Sequence, residues 1–196
     1  MNKLKSLNPL KFNILSVFTL IFLLYGLFIA IYSIADFPSS LEGGYLPYLS
    51  DKPIGEDGFY MLKVAWNIAN GQGITYSSGQ LTTGVQPLTT FIYSLVAWIN
   101  IHIFNSNKWL FLRNIIVLGT LSHILLAYLL AKLTVKLLEF KKSKTNLIFN
   151  ISYAITLFSF GLFRLSTYGL ETTFYLCGLC FLFTYLLDSF NNKKAI

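Results

Sequence analysis

Charge is scarce in this chain. Of its 196 residues, 12% are charged and 55% are hydrophobic. A soluble domain carries roughly 25% charged residues, so half the usual supply is missing, and a soluble globular class is excluded. Cysteine is sparse too. Cys177 and Cys180 form C-x-x-C inside the apolar run Thr172–Leu187, with no histidine or further cysteine beside them. A metal or redox centre needs polar access and more ligands. The pair therefore reads as inert, membrane-buried thiols, and no disulfide framework follows. Long polar stretches are rarer still: Asp36–Val85 is the one that stands out.

What is present is hydrocarbon in long runs. Asn13–Ala35 carries no charge. At 1.5 Å per residue it is about 34 Å long, enough to cross a bilayer core. It exceeds the ~7–15 residues of a signal-peptide core, and no clear A-x-A cleavage site follows. It is expected to be a retained transmembrane helix. Pro87–Phe104, Trp109–Leu138, Asn146–Phe163 and Leu170–Phe190 are further apolar runs, and Asn191–Ile196 is a polar tail. The expected fold is all-α and integral to the membrane. It has about five transmembrane helices in a single domain, 1–196, with a long external loop, 36–85.

The net charge of +7 does not point to nucleic acid. Basic residues cluster at Lys3–Lys11, Lys132–Lys144 and Lys193–Lys194, beside the apolar runs, as cytoplasmic flanks do. The 36–85 loop has the opposite sign. Asp36, Glu42, Asp51, Glu56 and Asp57 stand against Lys52 and Lys63, a net of −3. These signals put the N-terminus inside and the loop outside. One conflict remains. Five simple crossings would place Lys136–Lys144 outside, against the positive-inside rule. Either the rule fails there, or one segment is re-entrant. Asn100, His102, Asn105 and Asn107 mark the second and third runs as a candidate polar hairpin.

Within the loop, Pro38, Gly43, Gly44, Pro47, Pro53 and Gly55 break the first half into turns. Asp57–Asn70 then shows helical spacing. Phe59, Leu62, Trp66 and Ala69 share one face, and Asn70-Gly71 reads as the stop. The spacing predicts an amphipathic helix lying in the interface plane, Trp and Phe downward.

The candidate chemistry sits beside that helix. Glu56 and Asp57 are adjacent carboxylates at its start. Asp57 as N-cap and Glu56 as a dipole-complementing charge is the structural reading. The chemical reading is a general base for an acceptor hydroxyl, or a ligand to a divalent metal ion. Gly71 and Gly73 form a G-x-G that reads as a cap and turn ahead of a phosphate nest. Gln86, at the mouth of the next helix, could meet a sugar or phosphate. Arg164 and Glu171 flank L-S-T-Y-G-L. They could form an interfacial anchor pair, or Arg164 could hold a lipid phosphate bidentately. His102 and His123, in apolar runs, read as helix–helix hydrogen-bonders.

Two separated motifs, the first in two parts, carry a family resemblance. Glu56–Thr75 reads E-D-G-F-Y-M-L-K-V-A-W-N-I-A-N-G-Q-G-I-T, Thr82–Leu88 reads T-T-G-V-Q-P-L, and Tyr168–Thr172 reads Y-G-L-E-T. Their order resembles the first external loop and a later helix start of the GT-C superfamily of polyprenyl-phosphate-sugar-dependent glycosyltransferases. That group includes protein O-mannosyltransferases, aminoarabinose transferases and arabinofuranosyltransferases. The resemblance spans roughly Leu10 to Leu187. It implies a helical bundle with its active site on the external face of a bacterial plasma membrane, and a lipid-linked sugar donor entering from the bilayer. Glu56 and Asp57 fall on the two acidic positions of the family's catalytic pattern, which implies activation of the acceptor for inverting displacement. The family usually has Asp at the first position, and Thr83 and Val85 depart from its usual Asn and aromatic residue. The resemblance further implies Gln86 and Glu171 in the sugar or acceptor pocket and Arg164 near the donor phosphate. Family members are longer, so the chain is expected to be the N-terminal part of such a module. The alternative is a non-catalytic or split-half subunit that binds lipid-linked sugar or supports a partner chain. An ion pathway is disfavoured because the acids lie in a loop and not mid-helix.

Overall fold

The computed structural model describes residues 14–35, 53–77, 80–138, 142–169 and 171–194. Among them are seven helices: α1 (Ile14–Ala35), α2 (Glu56–Ala69), α3 (Pro87–His102), α4 (Lys108–Leu137), α5 (Lys142–Leu157), α6 (Phe160–Thr167) and α7 (Thr172–Lys194). The basic N-terminal segment Lys3–Lys11 and the acids Asp36, Glu42 and Asp51 lie outside the described residues. So do the side chains of Glu56, Lys142, Lys144, Lys193 and Lys194.

Three helices contain apolar windows long enough to cross a membrane: Leu15–Tyr32, Lys108–Leu137 and Thr172–Phe190. A fourth span results if Thr145–Leu157 and Phe160–Thr167, bent by 58° at a short break, are counted together. The second apolar run is different. Its helix, α3, has 16 residues, about 24 Å at 1.5 Å per residue, short of the ~30 Å hydrocarbon core. Among the described residues the candidate spans therefore number three, or four with the bent pair, against the five crossings expected.

α1 and α4 run antiparallel. Gly26 meets Thr120 at mid-length with no room for a Cβ between them. Below that point Leu15–Leu23 face Leu121–Tyr128 across an apolar groove that Phe149 and Tyr153 complete. Thr19 hydrogen-bonds Tyr153 at 2.7 Å, and Lys136 of α4 pairs with Asp188 of α7. The start of α1, the end of α4, the start of α5 and the end of α7 therefore share one end of the bundle.

α2 and α3 cap the other end. They run parallel: Thr90 contacts Met61 near their starts, and His102 approaches the Ala69 carbonyl at their ends, 3.4 Å away. Residues 70–77 and 80–86 belong to the connection between them. Trp66 of α2 packs on Phe111 of α4, ring centroids 5.5 Å apart. Asn114 of α4 donates to the Asn100 side chain of α3 at 3.0 Å. The α4 start is fixed by Asn107, whose side chain accepts from the Leu110 amide.

The expected interface helix is packed on more sides than its pattern implied. Leu62 and Ala69 are buried and Trp66 lies against α4, while Met61, Val64 and Ala65 are buried on the adjoining faces. α3 instead carries the open apolar stripe. Leu88, Phe91, Leu95 and Trp98 recur at helical spacing, with Leu88 69% and Leu95 60% exposed. Thr89, Thr90, Tyr93, Ala97 and Asn100 fill its buried face.

The break between α5 and α6 has an identifiable pin. His123 of α4, fully buried, lies 3.0 Å from the Leu157 carbonyl through Nε2. Its Nδ1 is 3.3 Å from the Ser166 hydroxyl, which accepts from Thr173 at 2.9 Å. The expectation of a helix–helix hydrogen-bonder holds for His123. His102 makes the long contact with Ala69 already noted.

Candidate functional site

Three stretches separated in sequence meet at the capped end. The first is the start of α2. Its N-cap is Gly55, in an extended conformation and without a side-chain capping bond. Asp57 is therefore the second helical residue and not the N-cap that its residue type suggests. The reason is steric and polar together. The Gly55 amide donates to the Tyr168 carbonyl at 3.0 Å, and a side chain at Gly55 would overlap the Tyr168 ring. Glu56 and Asp57 both fall in the first turn, where the helix dipole favours carboxylates. Asp57 is exposed.

The second stretch is the turn after α6. Gly169 has φ +88°, and a Cβ there would fall 3.0 Å from the Gly58 Cα. Conversely, a Cβ on Gly58 would collide with the Tyr168 carbonyl oxygen. The two glycines allow backbone to lie on backbone. This brings the E-D-G-F-Y segment against the Y-G-L-E-T segment. Glu171 follows at the mouth of α7, with its Oε2 buried and without a hydrogen-bond partner among the described residues.

The third stretch is the approach to α3. Tyr60 hydrogen-bonds Thr82 and stacks on Tyr76, ring centroids 4.7 Å apart. Asn67, buried, donates to the Thr75 carbonyl at 2.7 Å, and a single antiparallel bridge joins Thr75 to Leu81. These contacts hold Thr75, Tyr76, Leu81 and Thr82 against α2 or each other, and Gln86 is the N-cap of α3. Gln86 Oε1 and Thr89 Oγ1 are also buried without partners among the described residues.

Tyr93, buried one turn beyond Thr89, links α3 to α7. Its ring meets Phe174 at 6.2 Å. Burial, and next the nearby Glu171 charge, push its phenol above the ordinary value. Gln86, Thr89 and Tyr93 thus share one side of α3, with Glu171 within electrostatic reach of the last. Gln86 Oε1 and Glu171 Oε2 lack donors and the Thr89 hydroxyl lacks a partner among the described residues, and buried oxygens of this kind suit a ligand rich in O–H or N–H groups.

Arg164 is on α6, one turn ahead of Tyr168, and half-buried. Gly71 and Gly73 serve the chain reversal. Both have positive φ, and the Gly71 amide donates to the Ile68 carbonyl, so that amide is used in closing α2. Among the described residues, no group of three His, Cys, Asp or Glu side chains could hold a metal ion. Cys177 and Cys180 are free thiols, the second buried.

Sequence reasoning passed over three residues here. Thr89 and Tyr93 follow Gln86 at helical spacing, and that spacing was the available signal. Arg113 lies about one and a half turns into a candidate span, with a buried Nε that has no partner among the described residues. Its isolation in an apolar run was legible, though no motif drew attention to it. No protein-family model, curated protein or solved structure matches the chain.

Proposed function

We propose that the chain is a membrane glycosyltransferase. It moves a sugar from a polyprenyl-phosphate-linked donor to an acceptor hydroxyl at the external face. The observation that carries this reading is the contact of Gly58 with the Tyr168–Gly169 turn. It lays the backbone that follows Glu56 and Asp57 on the turn that precedes Glu171, whose Oε2 is buried without a hydrogen-bond partner among the described residues. In the reaction, a carboxylate of Glu56 or Asp57 takes the acceptor proton. The acceptor oxygen attacks the anomeric carbon from the face opposite the phosphate. The carbon–oxygen bond to phosphate breaks, polyprenyl phosphate leaves with the electron pair, and the configuration inverts. Gln86, Thr89 and Glu171 receive hydrogen bonds from sugar or acceptor hydroxyls, and Arg164 serves the donor phosphate. The acids could also hold a divalent metal ion, for which Glu56 and Asp57 would be ligands.

The bundle geometry supports a matching topology. The helix ends that adjoin the basic segments lie together, so those segments face the cytoplasm and the capped end faces outward. The membrane is the bacterial plasma membrane.

The same three orphaned oxygens favour a second reading, a subunit that binds lipid-linked sugar without turning it over. Transfer assays on membranes containing Asp57→Asn, Glu56→Gln and the double variant separate the two. Loss of a general base lowers the rate about 10²–10⁴-fold while donor binding persists. Full transfer by the double variant rules out the catalytic assignment. Donor binding with no transfer by the parent chain favours the binding subunit.

A further inference from the structure

We propose that the cleft between α2 and α4 binds an anionic glycerophospholipid, with the phosphate between Lys63 and Lys108 and the first chain carbons in the cavity beneath. Leu62, Trp66 and Phe111 help wall an apolar cavity of about 130 Å³ that both lysines border. Lys63 and Lys108 line the cavity and are themselves exposed, so it has two cationic residues open to solvent at its edge. Lys108 Nζ lies 6.0 Å from the Trp66 ring centroid, a long cation–π contact that leaves its charge available. Neither lysine is ion-paired among the described residues, where the pair found is Lys136–Asp188.

Two chemistries coincide here. An apolar cavity asks for hydrocarbon, and two unpaired ammonium groups ask for an anion. A phosphate carried on an alkyl chain satisfies both. A free phosphate would leave the cavity unfilled, and a neutral lipid would leave the charges unmatched. Depth agrees: Lys108 opens the candidate span Lys108–Leu137, so the cleft sits at the level where a lipid headgroup lies. This site is separate from the orphaned oxygens around Glu171. It stands whether or not the chain catalyses sugar transfer.

The test uses the full chain reconstituted in phosphatidylcholine vesicles. The chain has three tryptophans, and Trp98→Phe with Trp109→Phe leaves Trp66 as the reporter. Brominated phosphatidylglycerol is expected to quench Trp66 saturably at low mole fraction, and brominated phosphatidylcholine to quench it weakly. Lys63→Gln with Lys108→Gln should raise the midpoint about tenfold or more, and the paired Lys→Arg variant should restore it. On the parent, added salt should weaken the quenching, a readout that does not depend on the variants folding. Equal quenching by both lipids, salt-independent quenching, or an unchanged midpoint in the folded glutamine variant overturns the proposal. Displacement by inorganic phosphate, or by a polyprenyl phosphate under conditions where unbrominated phosphatidylglycerol fails to compete, overturns the assigned lipid.

Discussion

At the residue scale, glycine sets the geometry of the site. Gly58 and Gly169 let two backbones touch, and Gly55 makes room for the Tyr168 ring. At Gly58 and Gly169 a methyl group has nowhere to go, because backbone atoms face it and cannot rotate away; at Gly55 it would meet the Tyr168 ring. Gly58→Ala should therefore destabilise the protein by about 1–3 kcal/mol, the usual cost of overpacking, and should abolish transfer. Gly178→Ala is the control. A Cβ there meets nothing within 4 Å, and the higher helix propensity of alanine favours it by up to ~1 kcal/mol. Thermal unfolding in detergent reads both, and equal melting temperatures for the two variants would contradict the packing argument. The role of these glycines was not visible in the sequence. A glycine beside two acids reads as a local turn residue, because its partner lies more than 100 positions away. The acids themselves were legible, since paired carboxylates at a helix start need no tertiary information.

At the element scale, the α5–α6 break depends on His123. A carbonyl freed at a helix break inside a membrane has no water to bond, and His123 meets the Leu157 carbonyl at 3.0 Å. The same ring reaches Ser166, on the helix that carries Tyr168 to the site. His123→Leu should lower stability by about 1–2 kcal/mol, the range for a helix–helix hydrogen bond in a membrane. It should also loosen the Tyr168–Gly169 turn. Hydrogen exchange at the Gly55 amide, which donates to Tyr168, should then accelerate relative to the parent. Unchanged exchange would separate the pin from the site. The sequence marked His123 as a hydrogen-bonder by its apolar setting but could not name the partner. A helix break in an apolar run shows in pattern only when proline or a polar cluster announces it, and Leu157–Phe158–Ser159–Phe160 has neither. For α2 the helical spacing of Phe59, Leu62, Trp66 and Ala69 was correct. What lies against that face is protein, because α4 reaches it through Phe111.

At the scale of the whole molecule, the parity of crossings decides where the charges go. If the bent α5–α6 pair is one span, the candidate spans number four, and four crossings would return both ends of the chain to one side. Lys3–Lys11, Lys132–Lys144 and Lys193–Lys194 then share a compartment, which removes the conflict posed by five crossings. Epitope tags at the N-terminus, near residue 140 and at the C-terminus should be protected or accessible together in sealed vesicles. A tag near residue 79 should behave oppositely. A tag near residue 140 on the side opposite the N-terminus would restore the odd number of crossings and displace the proposed external site.

Composition by itself pointed to the membrane, because a chain so poor in charge cannot clothe a soluble surface, and the described residues agree with helices long and apolar enough to cross one. Local spacing determined where α2 begins its apolar face and where Asn70-Gly71 ends it. Only the tertiary structure decided that α3 lies across the bundle end, that α2 is packed between neighbours, and that Gly58 rests on Gly169. The physical reason is range. Hydrophobicity and helical period act over a few turns of one segment, whereas close backbone contact and buried polar pairing are fixed by which distant segment arrives alongside.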